Sequence, residues 1–328
     1  VRLAPMGRYV TPDEPIWVLR AVRFADAVAA GDWAAIPETG HPGVTTMALG
    51  ALGVRLTAWL HPAEAAAHLT WIRRMAWLAP ENGAAFTHLA YFLPAGRLLV
   101  MLTTSLALVG AYHLARLRLG ERPARLLALF LALDPFVAGH AGLLHTDALQ
   151  ASFALLALLF VLPRRADVVD LSIHSERGIG QIVGAALCLA LTGLTKTLGL
   201  LIAPGMALVL VLSGRGAWSR RLLRAAALAA LTLLCYALLY PPAWHEPHSA
   251  LAPLLDAASY HEGIGLRDVF FLGEMTPAPG PLFYPLVLLF RLTPAVLVGL
   301  GLALVRVIQA RRSQEIAWLG LPALLYLA

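Results

Sequence analysis

Apolar residues in this chain gather in long unbroken runs rather than in the narrow stripes of a soluble helix or the alternation of a half-buried strand. A helix needs roughly 20 largely apolar residues to cross a bilayer. On that measure the pattern predicts spans near 98–115, 126–143, 146–162, 180–195, 197–213, 222–241, 282–305 and 316–328. The segment before them reads differently. From Pro15 to Ala30 apolar residues recur at helical spacing (Ile16, Leu19, Val22, Phe24, Ala27) with Arg20 and Arg23 between them. From Val44 to Leu60 a second short, mostly apolar helix carries only Arg55. Both are expected to lie in the membrane interface on the outer face rather than to cross it.

Composition closes off the soluble alternative. Hydrophobic residues make up 59% of the 328 and charged residues 13%, against roughly 45–50% and about 25% in an ordinary soluble domain. A compact chain of this size cannot hide that much apolar surface from water, so the fold class is an all-α polytopic membrane protein. Cys188 and Cys235 both lie inside apolar runs and carry no disulfide signal.

A net charge of +6 with a pI near 9.7 raises nucleic acid as a partner. The placement of the charges answers otherwise. Fourteen of the 25 basic residues are arginines in four alternate connections: Arg116, Arg118, Arg122 and Arg125; Arg164, Arg165 and Arg177; Arg215, Arg220, Arg221 and Arg224; Arg306, Arg311 and Arg312. The intervening connections hold only Lys196 and Arg267. That alternation is a positive-inside signal, which puts the arginine-rich turns in the cytoplasm.

The same alternation divides the chain. Residues 1–96 form an outer first loop with the two interfacial helices, 97–241 a set of spans with short loops, 242–281 a second outer loop, and 282–328 further spans. The chain begins at Val1 and ends inside an apolar run, so an earlier span is expected before it and more after it.

Chemistry on the outer face has to come from the loops and the residues bordering them. Asp13-Glu14 opens the first helix, where backbone N–H groups favour an anion; helix capping is the plain alternative. Arg97 opens a span, and Lys196 sits alone in a Thr-Lys-Thr turn between two apolar helices. Ionisable groups at such depth are costly unless paired, which makes each a functional candidate, though Arg97 also suits a snorkelling anchor. Asp147 opens the next helix on the same face and also suits an N-cap, whereas Asp134, before Pro135 within a span, has no evident role. The second outer loop holds His245-Glu246-Pro247-His248 and His261-Glu262-Gly263. Histidines near carboxylates can bind a metal, but the spacing matches no established ligand pattern.

These residues together resemble the polyprenyl-phosphate-dependent membrane glycosyltransferases of the GT-C class, above all the protein O-mannosyltransferases and the bacterial aminoarabinose transferase. The resemblance runs in order along most of the chain. It begins at Asp13-Glu14-Pro15 and His41-Pro42-Gly43, then passes through Gly96-Arg97-Leu98, Ala138-Gly139-His140 and Thr146-Asp147-Ala148. It continues at Gly193-Leu194-Thr195-Lys196 and ends at Phe271-Leu272-Gly273-Glu274 and Phe283-Tyr284-Pro285. His-Pro-Gly stands where the mannosyltransferases have a His-Pro-Pro type motif, and no long soluble domain lies between spans, which favours a bacterial-type enzyme.

The resemblance implies a GT-C-type helical bundle in a bacterial plasma membrane with its active site outside. It implies a donor sugar on a polyprenyl or dolichyl phosphate, and an acceptor hydroxyl (lipid, glycan or protein) that attacks with inversion. Asp13 would be the general base, with Glu14 and Asp147 as supporting acids. Arg97 and Lys196 would hold the lipid phosphate, and His41, His261, Glu274 and Tyr284 would border the donor or acceptor. No cofactor is required if those cations suffice, although Glu14 with His261 could share a divalent metal. The rival from another class is a carrier-lipid flippase without transfer chemistry, against which stands the lack of a visible internal repeat.

Overall fold

The computed structural model describes residues 11–36, 41–77, 79, 82–162, 179–213, 217–246 and 268–310. The expected span 316–328 and His261 lie outside them. Helices dominate what is described, and four precede the bundle: α1 (Glu14–Ala30), α2 (Val44–Leu60), α3 (Pro62–Arg74) and α4 (Ala85–Ala90). The bundle follows as α5 (Leu93–Leu119), α6 (Glu121–Leu133), α7 (Pro135–Ala141), α8 (Asp147–Val161), α9 (Ile179–Thr195), α10 (Ile202–Ser213) and α11 (Trp218–Leu239). A short α12 (Pro242–His245) precedes a two-stranded hairpin of β1 (Val269–Phe271) and β2 (Glu274–Thr276), then α13 (Phe283–Arg291) and α14 (Pro294–Ala310).

The two helices expected in the first loop are present, but neither lies alone on a surface. α2 is wedged between α1 and α5, with Met47, Gly50, Ala51, Gly53 and Val54 buried. Two glycines make this possible. A Cβ on Gly53 would stand 2.6 Å from the backbone nitrogen of Gly96, so α2 and α5 cross with nothing but backbone between them. Gly43, with φ of +61°, turns the chain into α2 where a Cβ would strike the Trp17 ring at 2.4 Å. The core around this junction joins Trp17, Leu19 and Val22 of α1 to Met47 of α2, Ile72 of α3, Leu89 of α4 and Leu194 of α9.

α5 and α11 are long and apolar enough to cross a membrane. The 27 residues of α5 extend about 40 Å at 1.5 Å per residue. Its inward stripe of Arg97, Met101, Thr104, Ala107, Ala111 and Ala115 is buried. Its outward stripe of Leu102, Leu106 and Val109 is between 51% and 71% exposed, a surface suited to lipid.

The remaining expected spans are shorter or broken. α8 has 15 residues and α9 has 17, while 197–213 divides into a 3₁₀ turn, Thr197–Leu201, and the 12-residue α10. The run 126–143 is two helices meeting at 64°. There Pro135 starts α7, and the Asp134 Oδ1 accepts the Val137 N–H at 2.9 Å, so the aspartate that has no evident role in the sequence is an N-cap. The run 282–305 is bent as well: α13 and α14 meet at 114°, because Pro294 cannot donate to the helix and disfavours helical geometry at Thr293 before it. The hairpin is the one departure from helix among the described residues, with Leu272 and Gly273 both at positive φ in its turn.

Candidate functional site

The start of α1 carries two adjacent carboxylates with opposite fates. Glu14 is fully buried. Its Oε1 accepts the Arg97 Nε–H at 2.7 Å and the Leu144 backbone N–H at 3.0 Å. Its Oε2 accepts the Arg97 Nη2–H at 2.5 Å, the Thr11 N–H at 3.0 Å and the Thr11 hydroxyl at 3.2 Å. The Thr11 contacts fold the preceding turn onto Glu14, so this one carboxylate ties the start of α1 to α5 and to the loop before α8. Burial alone pushes the Glu14 carboxyl up, but the hydrogen bonds from Arg97, Thr11 and Leu144 and the Arg97 charge bring it below its ordinary value of 4.5. Arg97 is itself 1% exposed. Its guanidinium grips this carboxylate from inside the protein.

Asp13, by contrast, is 69% exposed at its side chain and makes no helix-capping bond. Its Oδ2 lies 3.5 Å from Nε2 of His145. The other side of the same imidazole faces Asp147, with Nδ1 at 3.5 Å from Oδ2 and at 3.4 Å from the Asp147 backbone N–H. Asp147 in turn accepts from Lys196 Nζ at 3.2 Å. Asp147 is not the N-cap of α8, a position held by Thr146. Four ionisable groups therefore run in sequence: Asp13, His145, Asp147, Lys196.

Each is delivered by a helix end. Lys196 follows the last residue of α9, where its extended backbone ends the helix. The Thr195 hydroxyl there donates to Leu191 O at 2.6 Å and meets the Thr45 hydroxyl of α2 at 2.7 Å, so the turn bearing Lys196 is pinned to the N-terminal helices. Trp17 of α1, 3% exposed, stands edge-on to the His145 ring at 6.3 Å.

An apolar cleft of about 120 Å³ has Asp147 of this row in its wall. Its walls come from Thr104, Ala107 and Leu108 of α5, Leu131 of α6, Phe136 and Val137 of α7, and Ala148, Ala151 and Leu155 of α8. Its two ionisable lining residues are His140 and Asp147. Arg291, at the end of α13, lies over the Phe136 ring at 5.8 Å, and Phe136 packs on His140 at 4.2 Å.

Other residues singled out in the sequence stand elsewhere. His41 is half-buried in the turn before α2, Glu274 opens β2, and Tyr284 is 61% exposed in the first turn of α13. Phe271 of the hairpin packs against Phe283 at 5.3 Å, which brings the two ends of that motif together. Among the described residues no three histidine, cysteine or acidic side chains converge as a metal site. Both oxygens of Glu14 are already engaged. His145 is the group that sequence reasoning passes over. Its signal is a histidine two residues before an aspartate at a helix start.

Residues 86–240 match the family model of the dolichyl-phosphate-mannose-protein mannosyltransferases. The resemblance read from the motifs is thus shown over that stretch, and it supports a membrane glycosyltransferase of mannosyltransferase-like kind. The match takes in Arg97, His140, His145, Asp147 and Lys196, while the segment with Asp13 and the hairpin lie outside it. No curated protein and no solved structure matches the chain significantly.

Proposed function

We propose that this chain, similar over residues 86–240 to the dolichyl-phosphate-mannose-protein mannosyltransferases, transfers a sugar from a polyprenyl or dolichyl phosphate to an acceptor hydroxyl at the outer face of a bacterial plasma membrane. The observation that carries the reading is the row Asp13, His145, Asp147, Lys196, joined through Asp147 to the wall of an apolar cleft. The cleft suits a prenyl tail, and the row suits a sugar phosphate.

The chemistry needs two things of the protein. An acceptor hydroxyl must lose its proton as it attacks the anomeric carbon, and an exposed carboxylate is a competent base. Asp13 is that carboxylate. The bond from the anomeric carbon to the phosphate oxygen breaks on the opposite side, with inversion, and its electron pair leaves on the phosphate. A fixed cation at the end of a cleft with little water stabilises that charge. Lys196, held by Asp147, supplies it. Glu14 and Arg97 act at one remove, as the clamp that aims Asp13 rather than as groups meeting the donor.

The membrane orientation draws on the helix ends. Arg116 and Arg118 close α5 at the end opposite Arg97. Arg118 donates to Phe160 O at the far end of α8, and Arg221 to Val211 O at the end of α10. These described arginines thus lie at helix ends remote from Lys196, consistent with a site on the outer side.

The test is transfer of radiolabelled sugar from polyprenyl phosphate to endogenous acceptors, by the full-length protein in membranes. Wild type is expected to transfer, and Asp13→Asn and Lys196→Ala to lose transfer while accumulating normally. Equal transfer by Asp13→Asn would remove Asp13 from the chemistry. No transfer by wild type with several donor sugars would turn the reading towards carrier-lipid movement.

A further inference from the structure

We infer that His145 is the proton acceptor behind Asp13, a positioning and relay residue that clears the general base in each turnover; this rests on the transferase reading above. The argument begins with what surrounds the ring. From α1, Asp13 Oδ2 faces Nε2 at 3.5 Å, and Trp17 stands edge-on at 6.3 Å. From the start of α8, Asp147 faces Nδ1 with its carboxylate at 3.5 Å and with its backbone N–H at 3.4 Å. His140 of α7 is near enough to both His145 and Asp147 to be electrostatically coupled to them, and Lys196 reaches the pair through Asp147.

This arrangement provides for every protonation state of the imidazole. With a proton on Nδ1, that N–H points to the Asp147 carboxylate and leaves the Nε2 lone pair facing Asp13. With Nδ1 bare, it accepts the Asp147 backbone N–H, and Nε2–H points to Asp13. With both nitrogens protonated, the imidazolium lies between two carboxylates, an opposite charge on each side. A histidine that served only packing would need partners for one of these states. One that receives and hands on a proton needs them for all three.

The transfer then balances. The acceptor O–H bond breaks, its proton goes to Asp13, and the oxygen electron pair forms the new bond to the anomeric carbon. The bond from that carbon to the phosphate oxygen breaks, and its pair leaves on the phosphate. The Asp13 O–H then breaks, and its proton is taken by the Nε2 lone pair, which restores the Asp13 carboxylate and leaves an imidazolium. The imidazolium releases one proton to water past the partly exposed Asp147. No oxidant, metal or further reactant is involved.

The experiment uses full-length protein in membranes with polyprenyl-phosphate-linked sugar, comparing wild type, His145→Gln and His145→Ala across pH. Wild-type kcat is expected to fall on the acid side as the imidazole becomes protonated beforehand. His145→Gln keeps a polar side chain but cannot accept the proton. It is expected to lower kcat on the order of 10²-fold, to leave the donor KM within about twofold, and to abolish that acid limb. Wild-type kcat in His145→Gln, or a uniform loss that keeps the acid limb, would overturn the inference and leave the ring a structural part. Undiminished transfer by Asp13→Asn would instead sink the transferase reading of Asp13 and the relay together.

Discussion

Glu14 and Arg97, 83 positions apart, close on each other through two parallel hydrogen bonds of 2.7 and 2.5 Å with almost no exposure to solvent. Removing one partner from such a pair strands the other as a buried charge, at a cost of roughly 3–5 kcal/mol. Glu14→Ala and Arg97→Met should therefore each lower the thermal midpoint of the solubilised protein sharply. The double variant Glu14→Met/Arg97→Leu should recover much of the loss. Additive losses in the double variant would mean that the pair is not the unit it is drawn as here.

The same carboxylate sets an acid limit. Because Glu14 is held below its ordinary 4.5 in the folded protein, its contribution is fully present above that unfolded value. It begins to be lost as the pH falls below it, and is gone once the pH passes under the lower folded value. Unfolding midpoints measured from neutral pH downward should fall in wild type over that acid window. Glu14→Gln should start less stable and show a shallower fall.

The crossing of α2 and α5 leaves no room for a side chain. Gly53→Ala places a methyl 2.6 Å from the Gly96 nitrogen, so the helices must separate, and the yield of folded protein should drop steeply. Gly139→Ala, inside α7 with nothing within 4 Å, is the control. There the added methyl should be neutral or stabilise by about 0.5–1 kcal/mol. Equal outcomes for the two would contradict the close approach.

Asp134 holds the start of α7 through the Val137 amide. Asp134→Ala should cost about 1 kcal/mol, whereas Asp134→Ser should retain most of the cap. Differential scanning of the purified variants separates the two.

Filling the cleft tests its occupant. Ala107 and Ala151 line it from facing helices, and Ala151→Phe should block a long prenyl chain without reaching Asp13 or Lys196. Its KM should rise for long-chain donors and change little for short-chain ones, so donor chain length is the variable to scan. A uniform effect on both would place the tail elsewhere.

Much of the architecture is legible in the sequence because a bilayer demands so much of it. The runs that become α5 and α11, the helices at 14–30 and 44–60, and the arginine alternation all follow from the cost of exposed backbone and charge in lipid. The interruptions are less legible. Asp134-Pro135 could be a kink within one span or a joint between two, and only packing decides the angle. The hairpin turn at Leu272-Gly273 lacks the Asn-Gly signal that would announce it. The site was legible in its residue types and not in their pairing. Arg97 and Lys196 are both solitary cations at a helix end, yet one is buried on Glu14 and the other pairs with Asp147 beside the cleft. Nothing local distinguishes them, because their partners arrive from 83 and 49 positions away.

The opposite fates of Asp13 and Glu14 make the order of two neighbouring acids a form of information. Successive residues at a helix start point about 100° apart, so whichever carboxylate enters the clamp dictates the bearing of the one before it. Exchanging the two letters conserves charge and composition and alters size only by moving one methylene between neighbours. Yet the exchanged chain would offer the clamp an acid too short to reach it and the open side one too long. A comparison blind to order would score that swap as silent, although it sends each carboxylate to the wrong address.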